Sequence, residues 1–169
     1  ETMATADFTI VKDPRLTTPL KAHRHQFDLQ LELTQSLSAL NAAVNRIRRM
    51  RRQLGALDEA AGEAQADLST KAKAAAAALL AIEAVLVDVN RESARDILRN
   101  PAGLDDGLVD LINTVAISDR EPTEQAEAVS REIMAKVTAE LARLQALEAG
   151  DIAAINRRAA DAGIAHVGG

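Results

Sequence analysis

Five guanidinium groups fall within seven residues: Arg46, Arg48, Arg49, Arg51 and Arg52. A cluster of this kind can hold phosphate or another anion, through bidentate hydrogen bonds and through its summed field. Nucleic-acid binding is the strongest form of that reading. Three features of the chain favour a structural role instead. On a helix the five side chains point all round the axis and not along one stripe. The chain carries a net charge of −5. It has no Trp or Tyr, and its two Phe are Phe8 and Phe27, so aromatic platforms for stacking bases or sugars are missing. In the structural reading the arginines form a basic last turn that suits the helix dipole, paired with Glu59, Glu63 or acids of a fourth helix. The cluster is kept as a candidate interaction patch, with no nucleic acid expected as partner.

Other reactive side chains give less. His23 and His25 are two residues apart, so on a helix they diverge by about 200° and cannot share one metal. With His166 near the C-terminus, all three read as solvated. Asp105, Asp106 and Glu121 could be imagined as paired carboxylates for glycosidic acid–base work. Their places at expected helix starts explain them as caps. No catalytic residue, metal site or cofactor is therefore expected. Asn41, Asn45, Asn113 and Asn156 lie near apolar faces and could fix helix register by buried hydrogen bonds.

These residues must be positioned by helices. Leu29, Leu33, Leu37, Leu40, Val44, Ile47 and Leu54 recur three, four or seven apart and so share one face. The spacing predicts one helix from Thr18, as N-cap, to Leu54, with Pro19 in the first turn and Gly55 as the stop. Such a rod is roughly 50 Å long and needs antiparallel neighbours or a second chain. A second helix is expected to start between Asp58 and Glu63 and to run to about Asn90. Its seam is Leu68, Ala72, Ala75, Leu79, Ile82, Leu86 and Val89. Asn100-Pro101-Ala102-Gly103 breaks the chain within 91–104. Asp105 or Asp106 then caps a third helix with Leu108, Leu111, Ile112 and Val115 inward, ending near Ser118. Pro122 opens a fourth on Ala126, Val129, Ile133, Val137, Leu141, Leu144 and Leu147. Gly150 ends it, and Asp151 caps a short fifth with Ile152, Ile155 and Ala159 inward. Gly163 stops that helix, and Ile164–Gly169 is a tail.

The fold class is thus all-α: an antiparallel helical bundle built on a long helical hairpin, with a short extended N-terminal segment. Residues 1–17 form the segment and 18–169 the bundle domain. Phe8-Thr9-Ile10-Val11 has strand-like residues but no partner strand downstream, and Asp13-Pro14 ends it. It reads as the last strand of an upstream β domain, or as an ordered tail lying on the bundle. The chain starts with Glu and is taken as a piece of a longer protein.

Composition sets outer bounds. Of 169 residues, 47% are hydrophobic and 27% charged, which marks a globular chain and not a disordered one. Residues 1–57 hold nine Lys/Arg against five Asp/Glu, and residues 58–169 hold eleven against twenty. A basic first helix beside acidic partners follows, each exposed pair contributing under about 1 kcal/mol. There is no Cys, which excludes disulfides and thiolate metal sites. The longest apolar run, Ala74–Val87, is interrupted by Glu83 and too short to span a bilayer.

Asp13-Pro14-Arg15, then Thr18-Pro19-Leu20 and Gln26-Phe27, resembles a known junction. It is similar to the start of the C-terminal helical region in large bacterial proteins built on a sortilin-like (Vps10-type) BNR-repeat β-propeller. Leu40-Asn41-Ala42-Ala43-Val44-Asn45-Arg46-Ile47-Arg48, with Arg51-Arg52-Gln53-Leu54, resembles the first helix of that region. Asn113, Ala126 and the Asp119–Pro122 turn, and Asn156 before Ala162-Gly163-Ile164, fit its later pattern. The likeness spans most of the chain and departs over Ser93–Gly107. It implies an upstream propeller and small β domain in the same polypeptide, in a family often labelled as glycosyl hydrolases. It points to a bacterial protein and leaves export open.

Three functions follow as expectations. The first is a non-catalytic accessory domain that supports the propeller, self-associates as a homodimer or docks a partner. The second is a cap over the active face of a hydrolytic propeller. The third is an anion- or nucleic-acid-binding bundle using Arg46–Arg52.

Overall fold

The computed structural model describes residues 4–62, 65–93 and 102–168. Helix α1 spans Leu20–Ala61, α2 Ala66–Leu86, α3 Leu104–Ala116, α4 Glu124–Leu147 and α5 Ala153–Asp161. The protein is an all-α bundle, and among the described residues there is no strand.

The five helices make three rods. The first is α1, 42 residues long and so about 63 Å. The second is α2 followed by α3, laid end to end and antiparallel to α1. Ser69 of α2 bonds Asp58, and Glu83 pairs with Arg48 and Arg51 nearer the middle of α1. Further along, Val115 at the end of α3 meets Gln26. The third rod is α4 and α5, parallel to α1: Glu127 lies by His25 and Glu148 by Arg46. The bundle interior is aliphatic, with Leu33, Leu40, Ile47, Leu54, Leu79, Leu86, Leu108 and Leu144 at most 1% exposed.

Helix α1 is longer than its sequence pattern predicts. Pro19 and not Thr18 is its N-cap, and no side chain caps it. The Thr18 hydroxyl instead donates to the Asp119 carbonyl, tying the start of α1 to the connection before α4. Gly55 does not stop the helix. A mid-helix Gly costs about 1 kcal/mol, and continuing buries Leu54, Leu57 and Ala61 against α2 and its neighbours. The stop is Gly62, whose φ of 53° suits a residue without a Cβ. Helix α2 consequently starts at Ala66, later than expected, and ends at Leu86. Six of its seven seam residues are buried, while Val89 lies beyond its end, 38% exposed.

The other boundaries shift in smaller ways. Gly103 caps α3, which ends at Ala116, so Asp105 and Asp106 sit in its first turn and not at the cap. Most of the 91–104 break lies outside the described residues. Thr123, after Pro122, caps α4 by accepting from the Ala126 N–H. On α4 the inward position is Ser130, fully buried, while the expected Val129 is 45% exposed. Ala126, Ser130, Ile133 and Val137 keep a 4-3-4 spacing that Val129 misses by one.

Gly150 and Asp151 do not separate two helices. Glu148–Ile152 forms a π turn that carries α4 directly into α5. Leu147 and Ile152 are five apart, one more than a helical turn allows. The wider turn absorbs the extra residue, so Ile152 and Ile155 both reach the core. Gly163, φ 69°, does end α5. The Ile164 N–H bonds the Ala159 carbonyl and the Gly163 N–H bonds Ala160, a Schellman stop. The last residues are more than a loose tail: Val167 is 1% exposed and joins the core.

At the other terminus, residues 4–12 have no regular secondary structure and are exposed, with Phe8 84%, Ile10 88% and Val11 77% accessible. The segment does not lie down on the bundle, which sets aside that alternative. Asp13-Pro14-Arg15-Leu16 makes a tight corner between it and α1. The Leu16 N–H bonds the Asp13 carbonyl, and the Arg15 N–H and guanidinium both bond the Asp13 carboxylate.

Candidate interaction surface

The arginine cluster is mid-helix, because α1 continues to Ala61. The dipole argument for a last turn therefore fails; the arginines do pair with acids, Glu83 and Glu148, while Glu63 lies outside the described residues. Glu83, 3% exposed, accepts from Arg48 Nε at 2.6 Å and Arg51 Nη1 at 2.8 Å. A buried carboxylate is expensive to desolvate, and two guanidinium groups with charge-assisted bonds offset that cost. Arg46 pairs with Glu148 at 2.8 Å, just past the end of α4. Arg49 is also engaged, and Arg52 is exposed. So Arg46, Arg48 and Arg51 fasten α1 to the other two rods. The signal was in the sequence: a lone Glu83 inside the apolar run Ala74–Val87 needs a buried cationic partner.

The histidines are not simply solvated. His25 lies between two acids, with Nδ1 3.4 Å from Glu121 and Nε2 3.5 Å from Glu127. It joins α1 to α4 and the connection before it. His23 Nε2 is buried without a partner, and His166 is exposed. Asp106 is paired with Arg91. Burial pushes the Asp105 carboxyl above the ordinary carboxylate range, and its Oδ1 has no partner. Glu121 faces His25, far from both aspartates in the chain. Among the described residues, no group of three His, Asp or Glu is placed to hold a metal ion. No helix there is long and apolar enough to cross a membrane.

Of the four asparagines, Asn41, Asn45 and Asn113 are exposed and fix no buried register. Their positions flank the seam, one step off the inward face. Asn156 has a specific task. Its amide donates to the Val167 carbonyl at 2.7 Å and accepts from the Val167 N–H at 2.8 Å. Gln53 makes the same paired contact with Gly168, at 3.3 and 2.9 Å. Two amide side chains thus pair with the tail backbone as a neighbouring strand would.

The concave surfaces are open grooves. The one between α1 and α4 has an alanine floor, Ala39, Ala42 and Ala43. Its one carboxylate, Glu148, is already held by Arg46.

What the sequence pattern missed is where apolar residues are left outside the core. Leu20 (69% exposed), Phe27 (61%) and Leu31 (44%) lie on α1, and Ile117 (84%) follows α3. All four belong to the end of the bundle where α1 begins, and three of them exceed 60% exposure, whereas Leu80, Val85 and Val89, farther along the bundle, are 37–42% exposed. The spacing of Leu20, Phe27 and Leu31, seven and four, was a detectable second stripe. Beside buried Ala22 and Val115, that end carries several polar ties. Gln26 donates to the carbonyls of Val115 and Ser118 at 2.5 and 2.7 Å, beside Thr18–Asp119 and His25.

No protein family, curated protein or solved structure matches the chain.

Proposed function

We propose that this bundle is a non-catalytic accessory and interaction module of a larger sortilin-like BNR-propeller protein. The observation that carries the reading is that the most exposed apolar residues of the bundle, Leu20, Phe27 and Ile117, lie at the end where α1 begins, preceded in the chain by the exposed Phe8–Val11 segment. The three rods cover the seam of α1 from Leu29 to Ala61, so the scaffold needs no further helix. The strand-like segment and the Leu20–Leu31 stripe are left for something else to cover. The Asp13–Arg15 corner supports the same reading, because it turns the chain between that segment and α1. The engagement of Arg46, Arg48 and Arg51 by Glu148 and Glu83 favours a structural part for the cluster over anion binding.

The test is the size of the native polypeptide. An antiserum raised against this 18.0 kDa chain should detect a band several times larger in extracts of the source organism. A native band near 18 kDa would contradict the attachment. The isolated chain should leave aryl glycosides unhydrolysed, and turnover by it would contradict the non-catalytic assignment.

A further inference from the structure

The stripe on the first third of α1 is self-complementary. Leu20, Arg24, Phe27 and Leu31 follow a 4-3-4 spacing and share one face. The core-facing residues Ala22, Leu29 and Leu33 lie on the opposite side of the helix, about 180° away at 100° per residue. This face is therefore turned from the bundle. Asp28 flanks it on the same side as Arg24. Among the described residues neither Arg24 nor Asp28 makes an ion pair, although they are one turn apart.

We infer that this face is an interface between two copies of the chain, with their α1 helices antiparallel about a two-fold axis near His25 and Gln26. In that register Leu20 of one copy meets Leu31 of the other, and the reverse. Arg24 packs over Phe27 of the second copy, a cation–π contact. A two-fold axis brings like flanks together, so Arg24 also meets Asp28 of the second copy, and the pair occurs twice. One α1 helix thus supplies both halves of a complementary surface: apolar ends, an aromatic centre and a balanced charge pair. The occupant is accordingly a second copy and not an acidic or basic partner. The patch is small against stable interfaces, so the dimer should be weak, with a Kd on the order of 10 µM.

This inference deepens the interaction module proposed above, and its test is separable. Light scattering across a concentration series of the whole chain should show mass rising from monomer to dimer. Phe27→Asp, at an exposed position that leaves folding intact by circular dichroism, should weaken dimerisation at least about fiftyfold. Arg24→Asp and Asp28→Arg should each weaken it about fivefold to tenfold. The double exchange should restore it. A monomer at every concentration would overturn the proposal, as would a dimer indifferent to Phe27→Asp. A double exchange no better than the single changes would overturn the antiparallel register. None of these outcomes changes the size of the native polypeptide, so failure here and failure of the attachment are distinguishable.

Discussion

The two ends of this bundle are built on opposite principles. At the closed end, where α1 finishes, Leu54, Leu57, Ala61, Leu68, Ile155, Ala159 and Val167 are all under 5% exposed. The C-terminal tail is folded over that end and latched by Asn156 and Gln53. At the open end, where α1 begins, Leu20, Phe27, Leu31 and Ile117 face solvent. Polar side chains add fastening there: Thr18, His25 and Gln26. A protein that seals one end with apolar residues and leaves the other wet and sticky has divided its work. On the proposed reading, the closed end stabilises the fold and the open end is left for contact.

The sharpest way to break this contrast is a matched pair of truncations. Leu54→Ala at the closed end should cost ~3 kcal/mol of unfolding free energy, as a cavity in a packed core does. Phe27→Ala at the open end should change it by less than ~0.5 kcal/mol in dilute protein. Urea unfolding of the two variants measures both. Next in size is the latch. Asn156→Ala strands the Val167 N–H and carbonyl and loosens a buried Val, at ~2 kcal/mol. Limited proteolysis should then clip the C-terminal residues before the helices. The open-end counterpart, Gln26→Ala, removes one part-buried and one exposed bond to backbone carbonyls, and should cost ~1 kcal/mol.

The smallest effect is a pH dependence of the Asp13–Arg15 corner at the open end. Arg15 hydrogen bonds hold the Asp13 carboxyl below its ordinary value of 3.8. A carboxyl lowered in the folded state adds stability above its unfolded pKa, and that stability fades as pH falls through the folded value. The Asp13–Arg15 corner should therefore persist at pH 5 and loosen below about pH 4. The Arg15 Nε–H resonance should report it, with the thermal midpoint of the bundle unaffected by that corner.

Much of this contrast is legible in the sequence where residues repeat, and little where they meet at a distance. The seams of α1 and α2 follow from helical periodicity alone. Gly55 misleads because its local cost is smaller than the gain from burying Leu54, Leu57 and Ala61, which depends on α2 being there. Gly150 misleads similarly, since a π turn lets Leu147 and Ile152 share one face. The latch is invisible in advance: Gln53 and Gly168 are 115 residues apart, and an exposed-looking tail carries its one buried residue at Val167. The Arg46–Arg52 cluster was conspicuous, but its meaning rests on Glu83 and Glu148, which only the folded chain brings alongside. The open-end stripe was the quieter signal, hidden on the same helix as the stronger seam.

Hydrogen exchange followed by mass spectrometry, at about 2 µM and about 200 µM protein, tests the division of labour most directly. Peptides from residues 50–61 and 164–168 should be strongly protected and indifferent to concentration. Peptides from residues 20–34 should exchange faster at the low concentration and slow at the high one, as two copies cover the stripe. Protection that is uniform along α1 at both concentrations, or a tail that exchanges first, would contradict it.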